Sequence, residues 1–228
     1  MIEKPVISAA EAARKVQAGN VVHVGGFLGC GSPDAVIAEL AKLGTKDLTL
    51  VCNDSAILDP KSGRKTGVAV LVENRQFSKV VVSHIGTNPE TQRQMLDSAI
   101  DVELVPQGTL AERIRAGGHG LGGVLTPTGV GTAVEQGKRT IDIDGKVFLL
   151  ELPLRAHFAL LNARRADHLG NLVYSLTARN FNPLMAMAAD TVLAEAQEVV
   201  PVGVIAPDDV MTPAVLVDQL IARESVRG

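Results

Sequence analysis

A β-branched run, Val21-Val22-His23-Val24, passes without a break into Gly25-Gly26-Phe27-Leu28-Gly29-Cys30-Gly31, and Ser32-Pro33 follows at once. That order is satisfied most simply by a strand that ends in a tight glycine loop with a helix starting directly beyond it. Serine suits the N-cap, and proline suits the first helical position, where its missing N–H does no harm. Gly44 closes that helix, and residues 48–52 read as the next strand. The same punctuation recurs at Asn88-Pro89, Asn182-Pro183 and Thr212-Pro213, each ahead of a helix-compatible stretch. Upstream, Ser8-Ala9-Ala10-Glu11 is a capping box for a helix reaching about Ala18, where Gly19 ends it. Further strands fall at 79–83, 102–105, 158–161, 172–174 and 191–194. Asp144-Gly145, between 141–143 and 147–150, reads as a type I′ hairpin.

Strands alternating with helices predict an α/β fold: one open, mostly parallel sheet flanked by helices on both faces, with an antiparallel hairpin added. Hydrophobic residues make up 46% of the chain but aromatics only 3%, without tryptophan. The core must therefore come from Ala, Val, Ile and Leu, which suits a parallel sheet covered on both sides. The 228 residues contain no linker-like stretch, so 1–228 reads as a single domain. A net charge of −3 with interspersed signs argues against a nucleic-acid surface. No apolar run approaches the ~20 residues that span a bilayer. Met1-Ile2-Glu3-Lys4-Pro5 puts an acid and a proline where a signal peptide has its charged and apolar regions. A soluble, cytoplasmic protein is the expectation. Cys30 and Cys52 are the only cysteines, in keeping with a reducing compartment, and neither they nor the five histidines show metal-ligand spacing.

Three places could carry chemistry. The 25–31 loop lets backbone approach a ligand, and a helix that starts beyond it would turn N–H groups and a positive dipole end toward that space, inviting an anion. It is neither a P-loop, since Ser32-Pro33 replaces the lysine, nor a dinucleotide fingerprint, since Asp34 holds the third glycine position. A tight turn without a ligand fits the same residues. The second place is Gly117-Gly118-His119-Gly120-Leu121-Gly122-Gly123, leading to Thr126-Pro127-Thr128-Gly129-Val130-Gly131-Thr132. It reads as a long functional loop or a flexible surface one. The third is Pro106-Gln107-Gly108-Thr109, beyond the carboxyl end of a strand, where open α/β sheets bind ligands. The Gln107 amide is able to donate to a developing oxyanion, and a plain helix-start residue is the alternative. His23 reads as a packed core residue and His84 as a candidate for the site wall. Cys30 reads as a residue chosen for size.

These segments resemble a known family. Gly25-Gly26-Phe27, Gly31 and Pro33 are similar to the first signature of the family I CoA-transferases. Residues 106–118, with Pro106-Gln107-Gly108-Thr109 and Gly117-Gly118, are similar to a second block, 126–132 to a third, and Ala178-Arg179-Asn180-Phe181-Asn182 to a fourth. Ala18 and His23 depart from the usual pattern. Residues His84 to Thr91 look like the A subunit of the bacterial acetate–acetoacetate branch. The resemblance implies a ping-pong exchange of coenzyme A between a short acyl-CoA and a short carboxylic acid, through a glutamyl-CoA thioester on a B subunit in an A₂B₂ assembly. CoA is then a substrate, and no permanent cofactor is implied. By the same resemblance, Gly25, Gly26, Phe27, Leu28, Gly29, Cys30 and Gly31 bind CoA, and Gln107 contacts the reacting acyl group. Glu90, Glu112, Glu135 and Glu151 are read as structural, because none lies in the family's catalytic block. A phosphosugar isomerase or sensor and a non-catalytic scaffold subunit stand as the rival readings.

Overall fold

The computed structural model describes residues 2–223. In chain order its strands are β1 (Val6–Ile7), β2 (Val21–Val24), β3 (Leu48–Val51), β4 (Leu58–Asp59), β5 (Arg64–Lys65), β6 (Phe77–Val82), β7 (Asp101–Leu104), β8 (Val124–Thr126), β9 (Thr140–Ile143), β10 (Lys146–Glu151), β11 (Ala156–Asp167), β12 (Leu172–Val173), β13 (Ala189–Val200) and β14 (Gln219–Ala222). The helices are α1 (Ala9–Lys15), α2 (Asp34–Leu43), α3 (Ala69–Glu73), α4 (Pro89–Leu96), α5 (Gln107–Gly118) and α6 (Asn182–Met187).

The main sheet runs β1-β14-β13-β11-β2-β3-β6-β7, and every neighbouring pair is parallel. Side chains alternate between its faces. Val22, Val24, Leu50, Val80, Val82 and Leu160 pack under α1 to α4. Val51, Val81, Ala159, Leu161, Ala163 and Ala194 pack under Leu110 and Ile114 of α5 and Met185 of α6. Helices thus cover both faces, as the alternating pattern implies. The Asp144-Gly145 turn forms with φ of 52° and 78°, as type I′ requires. Its strands β9 and β10 join β8 in a separate antiparallel sheet rather than extending the main one.

Unequal strand lengths create the site. β11 is twelve residues long, but β2 pairs only with Phe158 to Leu160 on one of its sides, and β12 takes that side again only at Arg165 and Ala166. A notch opens along β11 between them, and the 25–31 loop leaves β2 directly into it. The expected strands at 158–161 and 191–194 are only the middles of β11 and β13. Asn162 and Glu195, just beyond the expected strands, stay inside the sheet.

Other boundaries differ for physical reasons. α1 stops at Lys15, because Val16 already turns extended at φ −78°, ψ 115°. Thr212-Pro213 opens only a short 3₁₀ turn, Ala214–Leu216, and the Thr212 hydroxyl bonds the Tyr174 hydroxyl instead of capping. The expected loop at 117–123 is shorter, because Gly117 and Gly118 belong to α5. A Cβ on Gly117 would run into the Leu154 carbonyl, and one on Gly118 into Met187, so these glycines let the helix lie close against its neighbours.

Candidate active site

β2, β3, β6 and β7 all point their carboxyl ends to one rim. The 25–31 loop follows β2, a buried loop at 52–56 follows β3, the segment holding His84 follows β6, and Pro106-Gln107 follows β7.

The 25–31 loop closes as a two-residue turn. Phe27 N–H donates to the Cys30 carbonyl at 3.0 Å and Cys30 N–H to the Phe27 carbonyl at 2.8 Å, with Leu28 at φ 51° and Gly29 at φ 88°. Side chains from distant segments take several of its backbone groups. Leu28 N–H donates to Asp54 Oδ2 at 2.9 Å, and the Thr66 hydroxyl donates to the Leu28 carbonyl at 3.0 Å. Asn180 accepts from Gly26 N–H at 3.2 Å and donates to the Cys30 carbonyl at 2.9 Å. Asn182 donates to the carbonyls of Gly31 and Ala178 and accepts from Asn162 N–H at 3.2 Å, which satisfies the open edge of β11 in the notch. The N–H groups of Gly29 and Gly31 find no protein acceptor among the described residues.

This support explains the glycines differently from the sequence expectation. A Cβ on Gly25 would strike Asn182, on Gly26 Ser32 Oγ, on Gly29 Thr66, and on Gly31 the Ala178 carbonyl. The loop is stripped of side chains first to fit its own clamp. Asn180 holds its place with φ 20°, ψ −120°, a sparsely populated conformation typical of functional sites.

The start of α2 also departs from expectation. Its cap position is Pro33, without a side-chain cap, and its first helical residue is Asp34. Ala35 and Val36 N–H donate instead to Glu195 Oε2, at 2.9 and 3.1 Å. Glu195 is fully buried on β13, and burial raises its carboxyl above the usual range despite those N–H groups and Arg223. A carboxylate from the protein itself therefore sits where an anionic ligand was expected. Asn182 fails as an N-cap in a similar way: it lies inside α6, and its side chain clamps the glycine turn.

Asp54 is 2% exposed and accepts from Leu28 and from Ala56 at 2.7 Å. Burial pushes its carboxyl up, opposed by those donors and by the charge of nearby His84. Cys52 is buried and burial pushes its thiol up to about 12, which disfavours the thiolate; Cys30 is exposed, with Sγ 3.5 Å from Thr177 Oγ1. Gln107 is the first residue of α5, exposed, and its amide has no partner among the described residues. Three strand spacings separate β7 from β2, about 14 Å. The rim thus brings the glycine turn, Asp54 and His84 together and sets Gln107 at its far end. A cleft of 350 Å³ lies beside Gln107, lined by Pro106, Gly108, Thr109, Glu112, Val124, Leu125, Thr126 and Thr128, so it joins residues of the second and third sequence blocks.

The four acids read as structural from the sequence are all engaged. Glu90 pairs with Arg93, which with Gln94 outweighs burial and holds its carboxyl low. Glu112 pairs with Arg115, Glu135 accepts from Gly131 N–H, and Glu151 is buried against Lys138. Asp54, Thr66, Asn180 and Glu195 went unassigned as site supports. Only the Asn180-Phe181-Asn182 spacing carried a signal, because two amides flanking a 3₁₀-to-helix junction can bind loop backbone.

Residues 6–223 match the family model for coenzyme A transferase. The chain is 53% identical over 206 residues, 90% of its length and 91% of the relative's, to the acetate CoA-transferase subunit alpha of Escherichia coli K12. It is 46% identical, over 89% of its length and 90% of the relative's, to the acetoacetyl-CoA:acetate/butyrate CoA transferase alpha subunit of Clostridium acetobutylicum. Among solved structures it resembles an acyl-CoA transferase from E. coli O157:H7 in a thioester complex with CoA, at TM-score 0.86 and 21% identity, covering 97% of this chain and 47% of that one. The chain spans about half the length of that solved protein, and at such identity the likeness concerns the fold. With the family model matched along the described chain and the alpha-subunit relatives aligned over nine-tenths of it, this chain belongs to the coenzyme A transferase family.

Proposed function

We propose that this chain is the A subunit of a heteromeric CoA-transferase and that it works as one domain, exchanging CoA between a short acyl-CoA and a short acid such as acetate, acetoacetate or butyrate. The observation that carries this reading is the 53% identity to an acetate CoA-transferase alpha subunit over nine-tenths of both chains. The nucleophile comes from a B subunit in an A₂B₂ assembly. Its glutamate attacks the thioester carbonyl, the C–S bond breaks, and an acyl-glutamyl anhydride and CoA thiolate form. The thiolate then attacks the glutamyl carbonyl, releases the first acid and leaves a glutamyl-CoA thioester. The second acid reverses both steps. One hard exchange becomes a series of easier acyl transfers.

In this chain, the free amide of Gln107 is the donor that meets the oxygen gaining charge in each step. The 25–31 turn forms a wall of the CoA site, with the N–H groups of Gly29 and Gly31, which find no acceptor among the described residues, facing ligand. Ion pairs, a backbone contact or burial already engage Glu90, Glu112, Glu135, Glu151 and Asp54, which supports placing the nucleophile elsewhere. The phosphosugar reading loses its main support, because Glu195 fills the anion seat of α2. The test is reconstitution. Rigorously purified chain alone is expected to leave acetyl-CoA and acetoacetate unexchanged, and addition of the B subunit to restore turnover. Turnover by this chain alone would overturn the two-subunit reading.

A further inference from the structure

Beneath α5, away from the rim, lies a charge network that the proposed chemistry does not use. Glu151, at the end of β10, is 2% exposed; Lys138 Nζ lies 2.5 Å from its Oε1 and Arg113 Nε 3.8 Å from its Oε2. Arg113 is itself buried. It donates from Nε to the Leu152 carbonyl at 2.9 Å and from Nη1 to Glu103 Oε1 at 2.5 Å. Lys79 reaches Glu103 from β6 at 3.5 Å. Desolvation makes buried ion pairs weak contributors to net stability, so what such a pair supplies is chiefly fixed geometry.

The geometry here is a brace across a corner. β7 carries Glu103, the chain turns through Val105 and Pro106, and α5 starts at Gln107 and carries Arg113 on its inner side. Gln107 stands at the apex of the corner, and the Glu103–Arg113 pair joins its two arms. The far side is held as well, because Leu154 N–H donates to the Arg113 carbonyl at 2.9 Å and Arg155 Nη1 to the Gly117 carbonyl at 3.0 Å.

We propose that Arg113 is a positioning residue, whose fork between Glu103 on β7 and the Leu152 carbonyl beside Glu151 fixes the direction in which α5 presents Gln107. This rests on the reading of Gln107 as the oxyanion donor. Lysine keeps the charge but has no planar fork, so it cannot hold both arms at once.

A double-mutant cycle in the assembled A–B enzyme tests the inference, using Arg113→Lys, Gln107→Ala and both together. Arg113→Lys is expected to lower kcat about 10–100-fold, the scale of an ångström-level misplacement, with the acyl-CoA KM within about twofold. In the Gln107→Ala background the same change is expected to cost no further kcat, because the group it positions is gone. Equal fold-losses in both backgrounds, or an unchanged kcat in Arg113→Lys, would overturn the inference while leaving Gln107 in place. A wild-type kcat in Gln107→Ala would overturn the Gln107 reading itself and this inference with it. If Arg113→Lys does not assemble, Glu103→Gln, which removes charge from the more exposed arm, runs through the same cycle with the same expected outcomes.

Discussion

Gln107 stands exposed at the start of a braced helix, without a side-chain partner among the described residues, beyond a strand's carboxyl end where open α/β sheets bind ligands. If it donates to the developing oxyanion, Gln107→Ala should lower kcat of the assembled enzyme by about 10²–10³, or roughly 3–4 kcal/mol of transition-state stabilisation. KM should move much less, since the bond strengthens in the transition state. Gln107→Glu should do no better, because it places an anion beside growing negative charge. Steady-state kinetics decide the matter, and a kcat within about twofold of wild type would remove Gln107 from the mechanism. His23 supplies a test of a different kind. It is fully buried on β2, both ring nitrogens lack partners among the described residues, and burial, with Arg155 second, pushes the imidazole down to about 3. The folded-state value lies below the unfolded one of 6.5, so the stability that neutral His23 permits is present above pH 6.5 and drains away as pH falls toward 3. Between those limits the slope is about 1.4 kcal/mol per pH unit. Urea melts of His23→Leu from pH 7 to 4.5 should show a shallower acid loss than wild type, and parallel curves would show that His23 stays charged or pairs in the fold.

At the scale of elements, local chemistry was legible wherever the cap belonged to its own segment. Ser8 with Glu11, Asn88 with Thr91, Gly44 at φ 66° and the Asp144-Gly145 turn all form as their residues imply. The misreadings came where a distant segment supplied the partner. Pro33 and Asp34 open α2 on a carboxylate 160 positions away, and no local pattern announces Glu195. Glu195→Ala should strand two N–H donors, one buried and one part-buried, at about 1–3 kcal/mol each, and lower Tm by about 4–24 °C for a chain of this size. A near-wild-type Tm would mean that water or ligand reaches the helix end. The glycine turn was found for an incomplete reason: its glycines admit Asn182, Ser32, Thr66 and the Ala178 carbonyl before any ligand. Gly26→Val should therefore weaken CoA-ester use and also cost stability, because its side chain would strike Ser32 at a backbone φ of 136°. Kinetics paired with thermal melts check this, and loss of activity at full Tm would restore a purely ligand-facing role.

For the molecule as a whole, the apolar runs revealed a parallel sheet between helical layers, because strands buried on both faces need Val, Leu and Ala in succession. The strand order was not legible, since pairing β11 with β2 and β14 with β13 depends on long-range packing that no single segment encodes. The notch that seats the glycine turn follows from that order, so Asp54, Asn180 and Glu195 could not be assigned before it was known. Gln107 could be singled out because it lies just beyond a strand end, with Val105 and Pro106 between it and β7. On the proposed reading the rim holds half of a catalytic centre, with Gln107 as donor and a clamped turn, while Glu90, Glu112, Glu135, Glu151 and Asp54 are each already engaged. Mass spectrometry of the reconstituted enzyme, denatured after incubation with acyl-CoA, tests that division most directly. The B subunit is expected to gain the mass of CoA less water, as a glutamyl thioester, while this chain keeps its own mass. A CoA adduct on this chain would contradict the division and place the nucleophile here.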